Sequence, residues 1–376
     1  MNTPLKFPFY AKAALILLGL FIFIYILSTL QGIILPIVYA GIIAISISPA
    51  VNYLVRKKIN HAIAIALVLT TAILIISGFI ALLSSQASLL SEAYPQLVLK
   101  FQNLFDQSVK WCSGYFNISI PKINAWIAST KADLVENSGT VIGVTLTTMG
   151  GVLSVAFLIP VYIFMILLYQ SHLVAFVYKL FGVDFEDKVR DMIVETKVII
   201  QSYLIGLSAE FAIVATLNSI CLMILGINYA ILLGIIGALL NIIPYIGGIV
   251  TIFLYMIIAL LTKSPIYALY MFGLYTLIQL IDNNYIVPKI IGSKVKLNAL
   301  VSLIAVILGA ALWGVPGMFL SIPMTAFIKL ICENVESLKP WGFLLGDTTP
   351  PLIKFTLNFE DFSKKLPHIM PPFIRK

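Results

Sequence analysis

Long apolar blocks without charge restrict this chain to a membrane-embedded fold more strongly than any other feature of its sequence. Leu, Ile and Val dominate Ala13–Leu30, Ala62–Leu83 and Val152–Leu168. A hydrocarbon core of about 30 Å needs roughly 20 apolar residues of helix. Only 11% of the residues are charged, whereas soluble domains have about 25%. We therefore predict an all-α polytopic membrane protein in contact with the lipid bilayer.

About six of the apolar blocks are long enough to be full spans. They are Ala13–Leu30, Ile33–Val51, Ala62–Ser85, Val141–Tyr169, Tyr203–Gly226 and Pro265–Ile281. Lys6, Lys12 and the triplet Arg56-Lys57-Lys58 lie on one side of the first three spans. Because basic residues favour the cytoplasmic side, we expect both ends of the chain in the cytoplasm and the protein in the cell inner (plasma) membrane.

Four domains are predicted from the pattern of apolar and polar residues. Residues 1–85 contain the first three spans, 86–140 form a polar segment, 141–332 form the transport core and 333–376 form a cytoplasmic tail. The polar segment has four basic and four acidic residues, and this lack of positive bias predicts an extracytoplasmic insertion. Apolar residues at helical spacing within it predict an amphipathic helix.

Two apolar blocks, 229–261 and 298–331, are interrupted by proline and glycine. The arms Tyr229–Ile243 and Ile249–Leu261 have about 13–15 residues each, which corresponds to about 20–22 Å of helix. This is too short for a full span, so we predict two re-entrant helical hairpins. The flanking charges place the entry of the first hairpin outside and that of the second in the cytoplasm.

The two hairpins also resemble each other in sequence. Gly237–Pro244 aligns with Gly309–Pro316, with identical Gly, Ala, Leu and Pro at the first, second, fourth and last places. This arrangement is typical of inverted repeats, whose broken helices form transporter binding sites near the bilayer midplane. Chance similarity among common residues is the alternative.

Polar residues inside the spans are candidates for ion or solute binding. Glu210 lies within the fifth span, where a carboxylate costs about 2.5–3.5 kcal/mol on insertion scales. It is a candidate coupling site for H⁺ or Na⁺; a helix-packing hydrogen bond or an interfacial position is the alternative. Asn218 lies about 80° round the same helix and could share a polar stripe with Glu210, or form an interhelical hydrogen bond instead.

A second group of candidate residues lies at the end of the sixth span. Gln279, Asp282 and Asn283 are spaced i, i+3 and i+4, so they share a helix face. Asp282 is a candidate cation ligand or a partner for Lys289 or Lys294. A solvated helix end is the alternative.

The predicted hairpin tips supply further candidates, because proline and glycine free backbone groups for a polar solute. Turn formation alone is the alternative. These candidates are Asn241, Pro244, Tyr245, Gly247, Gly248, Gly314, Pro316 and Gly317.

The sequence predicts neither an enzyme nor a metal or cofactor site. Walker A, G-x-S-x-G and HExxH patterns are absent from the sequence, and these would indicate nucleotide, acyl-transfer or zinc chemistry. The three His and three Cys residues are widely spaced. Basic residues lie in short loops rather than in a groove with aromatic residues, which argues against nucleic-acid binding.

Several motifs resemble one family. Leu240–Gly248, Val287–Gly292, Leu297–Leu300 and Gly314–Pro323 are similar, in that order, to the signature of the AI-2E (autoinducer-2 exporter) family of transporters, a former permease family. The similarity is densest over 186–331. It implies export of small molecules such as autoinducer-2, Na⁺(Li⁺)/H⁺ antiport as in other members, and a homo-oligomer.

We therefore predict a transporter that exports small polar solutes similar to autoinducer-2, or exchanges monovalent cations for protons, by alternating access. A passive channel or facilitator is one alternative. A non-transporting scaffold that acts through residues 86–140 is another. One position departs from the family pattern: many members have Gln after the Gly of the fifth span, whereas Leu207 follows Gly206 here.

Overall fold

The computed structural model describes residues 8–116, 121, 157–182, 185–243, 246–292 and 295–347, and these are almost entirely helical. Six of the helices are long and apolar enough to cross a membrane, or seven if one bent pair counts as a span. This confirms the predicted all-α polytopic fold. The helices are α1 (Phe9–Thr29), α2 (Gln31–Arg56), α3 (His61–Phe116), α4 (Phe157–Leu168), α5 (Gln170–Phe181), α6 (Glu186–Ile224), α7 (Ala230–Asn241), α8 (Ile246–Thr262), α9 (Pro265–Ile281), α10 (Ala299–Asn334) and α11 (Lys339–Leu345).

Helix ends coincide with capping residues and left-handed backbone positions. The side chain of Asn60 accepts a hydrogen bond of 3.0 Å from the Ala62 amide at the start of α3. Gly226 follows α6 with a φ of 64°, a conformation that glycine adopts without a Cβ clash. The side chain of Asn298 accepts a 2.8 Å bond from the Val301 amide and caps α10.

α3 is longer than the sequence predicts. It continues past Ser85 to Phe116 without a break, so the first part of the polar segment is one helix with the third span. Trp111 and Tyr115 are exposed on this extension, and their rings stack at 5.4 Å. The rest of the polar segment, apart from residue 121, and residues 141–156 of the fourth predicted span lie outside the described residues.

The first hairpin consists of α7 and α8. Glycines allow its arms to pack closely, because a Cβ on Gly237 would overlap the Tyr255 hydroxyl and one on Gly247 would overlap the Leu240 carbonyl. Buried Thr251 and Tyr255 donate hydrogen bonds from α8 to the α7 carbonyls of Gly237 (3.3 Å) and Leu233 (2.9 Å).

The second hairpin consists of the two arms of α10, and its turn is sharper than a kink. Trp313 and Gly314 have non-helical dihedrals, and Gly314 has a φ of 63°. A Cβ on Gly309 would overlap the Gly317 carbonyl, and a Cβ on Gly317 would overlap the Gly309 carbonyl. Eight residues of straight helix span about 12 Å, so this contact requires the chain to fold back.

The two hairpins pack along α6 from opposite ends. Near the open end of the first hairpin, Leu233 clusters with Leu222 of α6. Closer to the tip, Ala238 clusters with Ala215 of α6. The tip of the first hairpin therefore points towards the start of α6. In the second hairpin Asn334 lies near Met192, while Ala326 packs on Tyr203. Its tip therefore points towards the end of α6. That the hairpins enter the bilayer from opposite faces remains a prediction.

Candidate functional site

The candidate site is a cavity of 780 Å³ between α6, the tip of the first hairpin, the end of α9 and the start of α10. We call it the Glu210 cavity. Its lining combines polar and charged side chains with an apolar wall. The polar and charged lining residues are Tyr203, Glu210, Asn241, Tyr275, Thr276, Gln279, Asp282, Asn283, Lys296 and Ser302.

Two carboxylates line this cavity from different helices. Glu210 is 7% exposed and Asp282 is 1% exposed. Among the described residues Glu210 has neither a hydrogen bond nor an ion pair, and the Asp282 Oδ1 atom has no hydrogen-bond partner. A buried carboxylate is costly unless it is paired, solvated or neutralised. The cavity is therefore where a proton, a cation or a donor group would be favoured.

A hydrogen-bonded clasp joins the first hairpin to α9. The Asn241 Nδ2 atom donates a 2.8 Å bond to the Asp282 Oδ2 atom. The Gln279 Nε2 atom donates a 3.4 Å bond to the Asn241 Oδ1 atom. Gly248 lies against this clasp, because a Cβ there would be 3.3 Å from the Gln279 side chain. The clasp thus connects the hairpin tip to the carboxylate of Asp282.

The backbone at Asp282 departs from the α-helix. Residues Asp282–Ile286 form a π-helical turn in which the Val287 amide donates to the Asp282 carbonyl. Pro288 follows and cannot donate a backbone hydrogen bond, and a second π-helical turn, Pro288–Gly292, begins there. π-helical turns occur frequently at functional sites, and this one places Asp282 and Asn283 on the cavity wall.

The structure brings together most of the charged and amide candidates from the sequence. Those that line the cavity are Glu210, Asn241, Gly248, Gln279, Asp282 and Asn283. Gly247 packs against the carbonyl of Leu240 in the hairpin instead. Pro244 and Tyr245 lie outside the described residues.

Other candidates lie away from the cavity. Asn218 is fully buried, and both of its amide atoms are without hydrogen-bond partners among the described residues, but it does not belong to the cavity lining. Asn218 and Glu210 therefore do not line one binding cavity, because Asn218 lies on a face of α6 that is buried by packing.

The tip of the second hairpin is also separate from the Glu210 cavity. The Pro316 carbonyl accepts a 3.0 Å hydrogen bond from the Tyr39 hydroxyl of α2, and the Trp313 indole donates to the Leu27 carbonyl of α1 at 3.0 Å. Gly314 and Gly317 lie in this same turn. The first arm contributes Ala299 and Ser302 to the cavity instead.

Tyr203 and Tyr275 line the cavity but were not among the sequence candidates. Each lies seven residues before a candidate carboxylate, on α6 and α9 respectively. Residues seven apart share a helix face, so this spacing was the signal that could have identified them. Leu207, where the chain departs from the family pattern, lies on the same face of α6 and lines the cavity too.

Comparisons with known proteins agree with this architecture. The sequence model described as "AI-2E family transporter" matches residues 14–337. A candidate transport protein of Haemophilus influenzae is 26% identical, over 88% of this chain and 96% of its own length. YueF of Bacillus subtilis, also named as a candidate transport protein, is 24% identical over 84% and 87%. The AI-2 transport protein TqsA of Escherichia coli is 24% identical over 84% and 90%.

Proposed function

The chain belongs to the AI-2E family of membrane transporters, and we propose that it is a secondary transporter whose solute and coupling ion bind in the Glu210 cavity. A multi-pass membrane transporter, rather than an enzyme, is what the family and the names of its relatives indicate. The proposal adds a binding site for the solute and the coupling ion. Export of a solute similar to autoinducer-2, or exchange of a monovalent cation for protons, would both take place there.

The observation that supports this proposal most strongly is the pair of buried carboxylates without basic partners among the described residues, which do not include Lys294. Glu210 and Asp282 line one cavity, and neither forms a salt bridge among the described residues. Burial favours the neutral or paired state of a carboxylate. Binding a proton and binding a cationic or hydrogen-donating solute would then be alternatives at the same groups, which is the basis of coupling.

The clasp supports a mechanism in which movement of the first hairpin changes the side of the membrane from which the Glu210 cavity is accessible. Asn241 binds Asp282 through a single hydrogen bond, so a solute or proton that competes for Asp282 would release the hairpin tip. The opposed packing of the hairpins along α6 supports alternating access, because each tip approaches α6 from its own end. We propose that the hairpins are re-entrant and form an inverted repeat.

The distribution of basic residues along the chain supports an orientation in the membrane. These residues favour cytoplasmic ends in a plasma membrane. We also propose a homo-oligomer. In agreement with this, α1 has no buried residue within the single chain, which leaves most of its surface for lipid or for a neighbouring copy.

The test is a flux assay in proteoliposomes that contain a trapped pH-sensitive dye. We expect Na⁺, Li⁺ or autoinducer-2, each added across an imposed pH gradient, to change the proton flux of the unmodified protein. Glu210→Gln removes the charge but keeps the shape, so it should reduce this coupled flux by about tenfold or more. Glu195→Gln, the same change at an exposed position of α6, is the matched control.

The coupling role of Glu210 is wrong if Glu210→Gln and Glu195→Gln give the same flux. Ohmic ionic conductance in planar bilayers, unaffected by the pH gradient, would instead favour a passive channel. Absence of any flux, together with a partner that binds only when residues 86–140 are present, would favour a scaffold.

A further inference from the structure

We infer that the Glu210 cavity selects a small organic cation, in which an ammonium group is attached to an apolar body. This inference rests on the proposed function, because it names the class of solute for the same site. It follows from four properties of the lining: its volume, its charge, its aromatic rings and its apolar wall.

The volume of the cavity favours a molecule over a bare metal ion. At 780 Å³ it lies within the range of about 300–1,000 Å³ that is typical of small-molecule sites. Much of the wall is formed by aliphatic side chains, among them Leu207, Ile242, Ile249 and Ile252. Such side chains cannot replace the hydration shell of an inorganic ion, but they favour an apolar body.

The charge of the cavity favours a cation over an anion. Glu210 and Asp282 are buried, whereas Lys296, the basic residue of the lining, is exposed. Water screens an exposed charge much more than a buried one. An anion would also lie next to two carboxylates, and like charges in a site of low dielectric repel strongly.

Two tyrosines add recognition that a carboxylate pair alone would not give. Tyr203 is 5% exposed and Tyr275 is 2% exposed, and both residues line the cavity. Aromatic rings attract ammonium groups, and tyrosine is among the residues that form sites for quaternary ammonium ligands. The buried Tyr275 hydroxyl lies beside the Thr251 side chain but forms no hydrogen bond of full geometry among the described residues, so it can also accept a hydrogen bond from a hydroxyl or ammonium donor of the solute.

The experiment measures binding of chemically matched probes to the full-length protein in detergent. Choline and 3,3-dimethyl-1-butanol have almost the same shape, but only choline is charged; 3,3-dimethylbutanoate supplies the anion and benzyltrimethylammonium a larger cation. Thermal unfolding at increasing probe concentration gives the affinity, because a ligand that binds the folded state stabilises it. We expect both cations to bind at least about tenfold more tightly than the neutral isostere, and the anion to produce no stabilisation.

Variants connect the binding to the cavity. Glu210→Gln and Asp282→Asn should each weaken choline binding by about tenfold or more while leaving the neutral isostere unchanged. Glu195→Gln should bind choline as the unmodified protein does. If one cavity variant fails to elute as a folded protein in size-exclusion chromatography, the other gives the answer.

Equal binding of choline and its neutral isostere would overturn the inference, as would cation binding that survives both cavity variants, or stabilisation by neither cation. These results would leave the proposed function intact, since proton-coupled flux of another solute could still depend on Glu210. Conversely, loss of coupling in the flux assay with Glu210-dependent choline binding would contradict the proposed transport function and leave the ligand class standing.

Discussion

At the scale of single residues, two buried polar side chains without complete hydrogen bonding have different roles because of what surrounds them. Asp282 faces a cavity large enough for a solute, and one of its oxygen atoms binds Asn241. Asn218 is equally buried, yet it lies outside the lining of the Glu210 cavity and both of its amide atoms lack partners among the described residues. We interpret Asn218 as a cost to stability that does not contribute to binding.

Replacing Asn218 by Leu should therefore stabilise the protein. A buried polar group without a hydrogen bond costs about 1–3 kcal/mol, and Leu has a similar volume. We expect the free energy of unfolding in detergent to rise by about 1 kcal/mol or more, with coupled flux unchanged. Asn241→Leu is the contrasting variant, because it leaves both oxygens of Asp282 without a partner and should lower stability. A loss of stability or flux in Asn218→Leu would show that Asn218 has a partner of its own.

At the scale of secondary structure, glycines determine how closely the two arms of each hairpin approach. The arms of the second hairpin touch at Gly309 and Gly317, and a Cβ on either would overlap the carbonyl of the other. Backbone atoms cannot move aside as the end of a long side chain can. The hairpin therefore depends on the absence of side chains at these two positions.

Gly317→Ala should push the arms of the second hairpin apart. We expect a loss of about 1–3 kcal/mol in the free energy of unfolding, which is typical of overpacking. Gly273→Ala in α9 is the matched control, because no described atom beyond the adjacent turns of its own helix lies within 4 Å of its Cβ position. Alanine favours helix over glycine by about 1 kcal/mol, so the control should be neutral or stabilising. Equal thermal midpoints for the two variants would contradict the close packing of the arms.

At the scale of the whole molecule, α6 acts as the common support for both hairpins. The first hairpin packs near the end of α6 through Leu222, and the second packs nearer the start of α6 through Ile200, which clusters with Leu320. The Glu210 cavity lies between these two contacts. We predict from this arrangement that the open ends of the hairpins lie on opposite sides of the membrane.

Cysteine labelling tests that orientation in a background without native cysteines. Ser264→Cys follows the first hairpin, and Ser337→Cys follows the second. We expect a membrane-impermeant maleimide to label Ser264→Cys in intact cells and Ser337→Cys only after permeabilisation, since the two positions end oppositely directed hairpins. Labelling of both positions from the same side would contradict the inverted arrangement. It would not contradict the contacts between the hairpins and α6, because the experiment tests only their orientation in the membrane.

The sequence by itself determined the class of fold and much of its layout. Apolar length alone requires membrane helices, and the predicted sixth span, Pro265–Ile281, coincides with α9, because Pro265 fixes the start of the helix and polar residues follow its end. The interruptions by glycine and proline near residues 244 and 314 also predicted the ends of short arms. Glu210 and Asp282 were recognisable since charge is costly in lipid wherever the helix lies.

Only the tertiary structure decided which polar residues meet. Periodicity defines the faces of a helix, but it does not specify which neighbour covers each face. Thus Asn241 and Asn218 were both candidates from the sequence, yet one joins Asp282 in a clasp and the other is enclosed in packing. Tyr203 and Tyr275 entered the site for the same reason: the rotation of α6 and α9 around their axes is set by long-range packing, which acts between segments far apart in the chain.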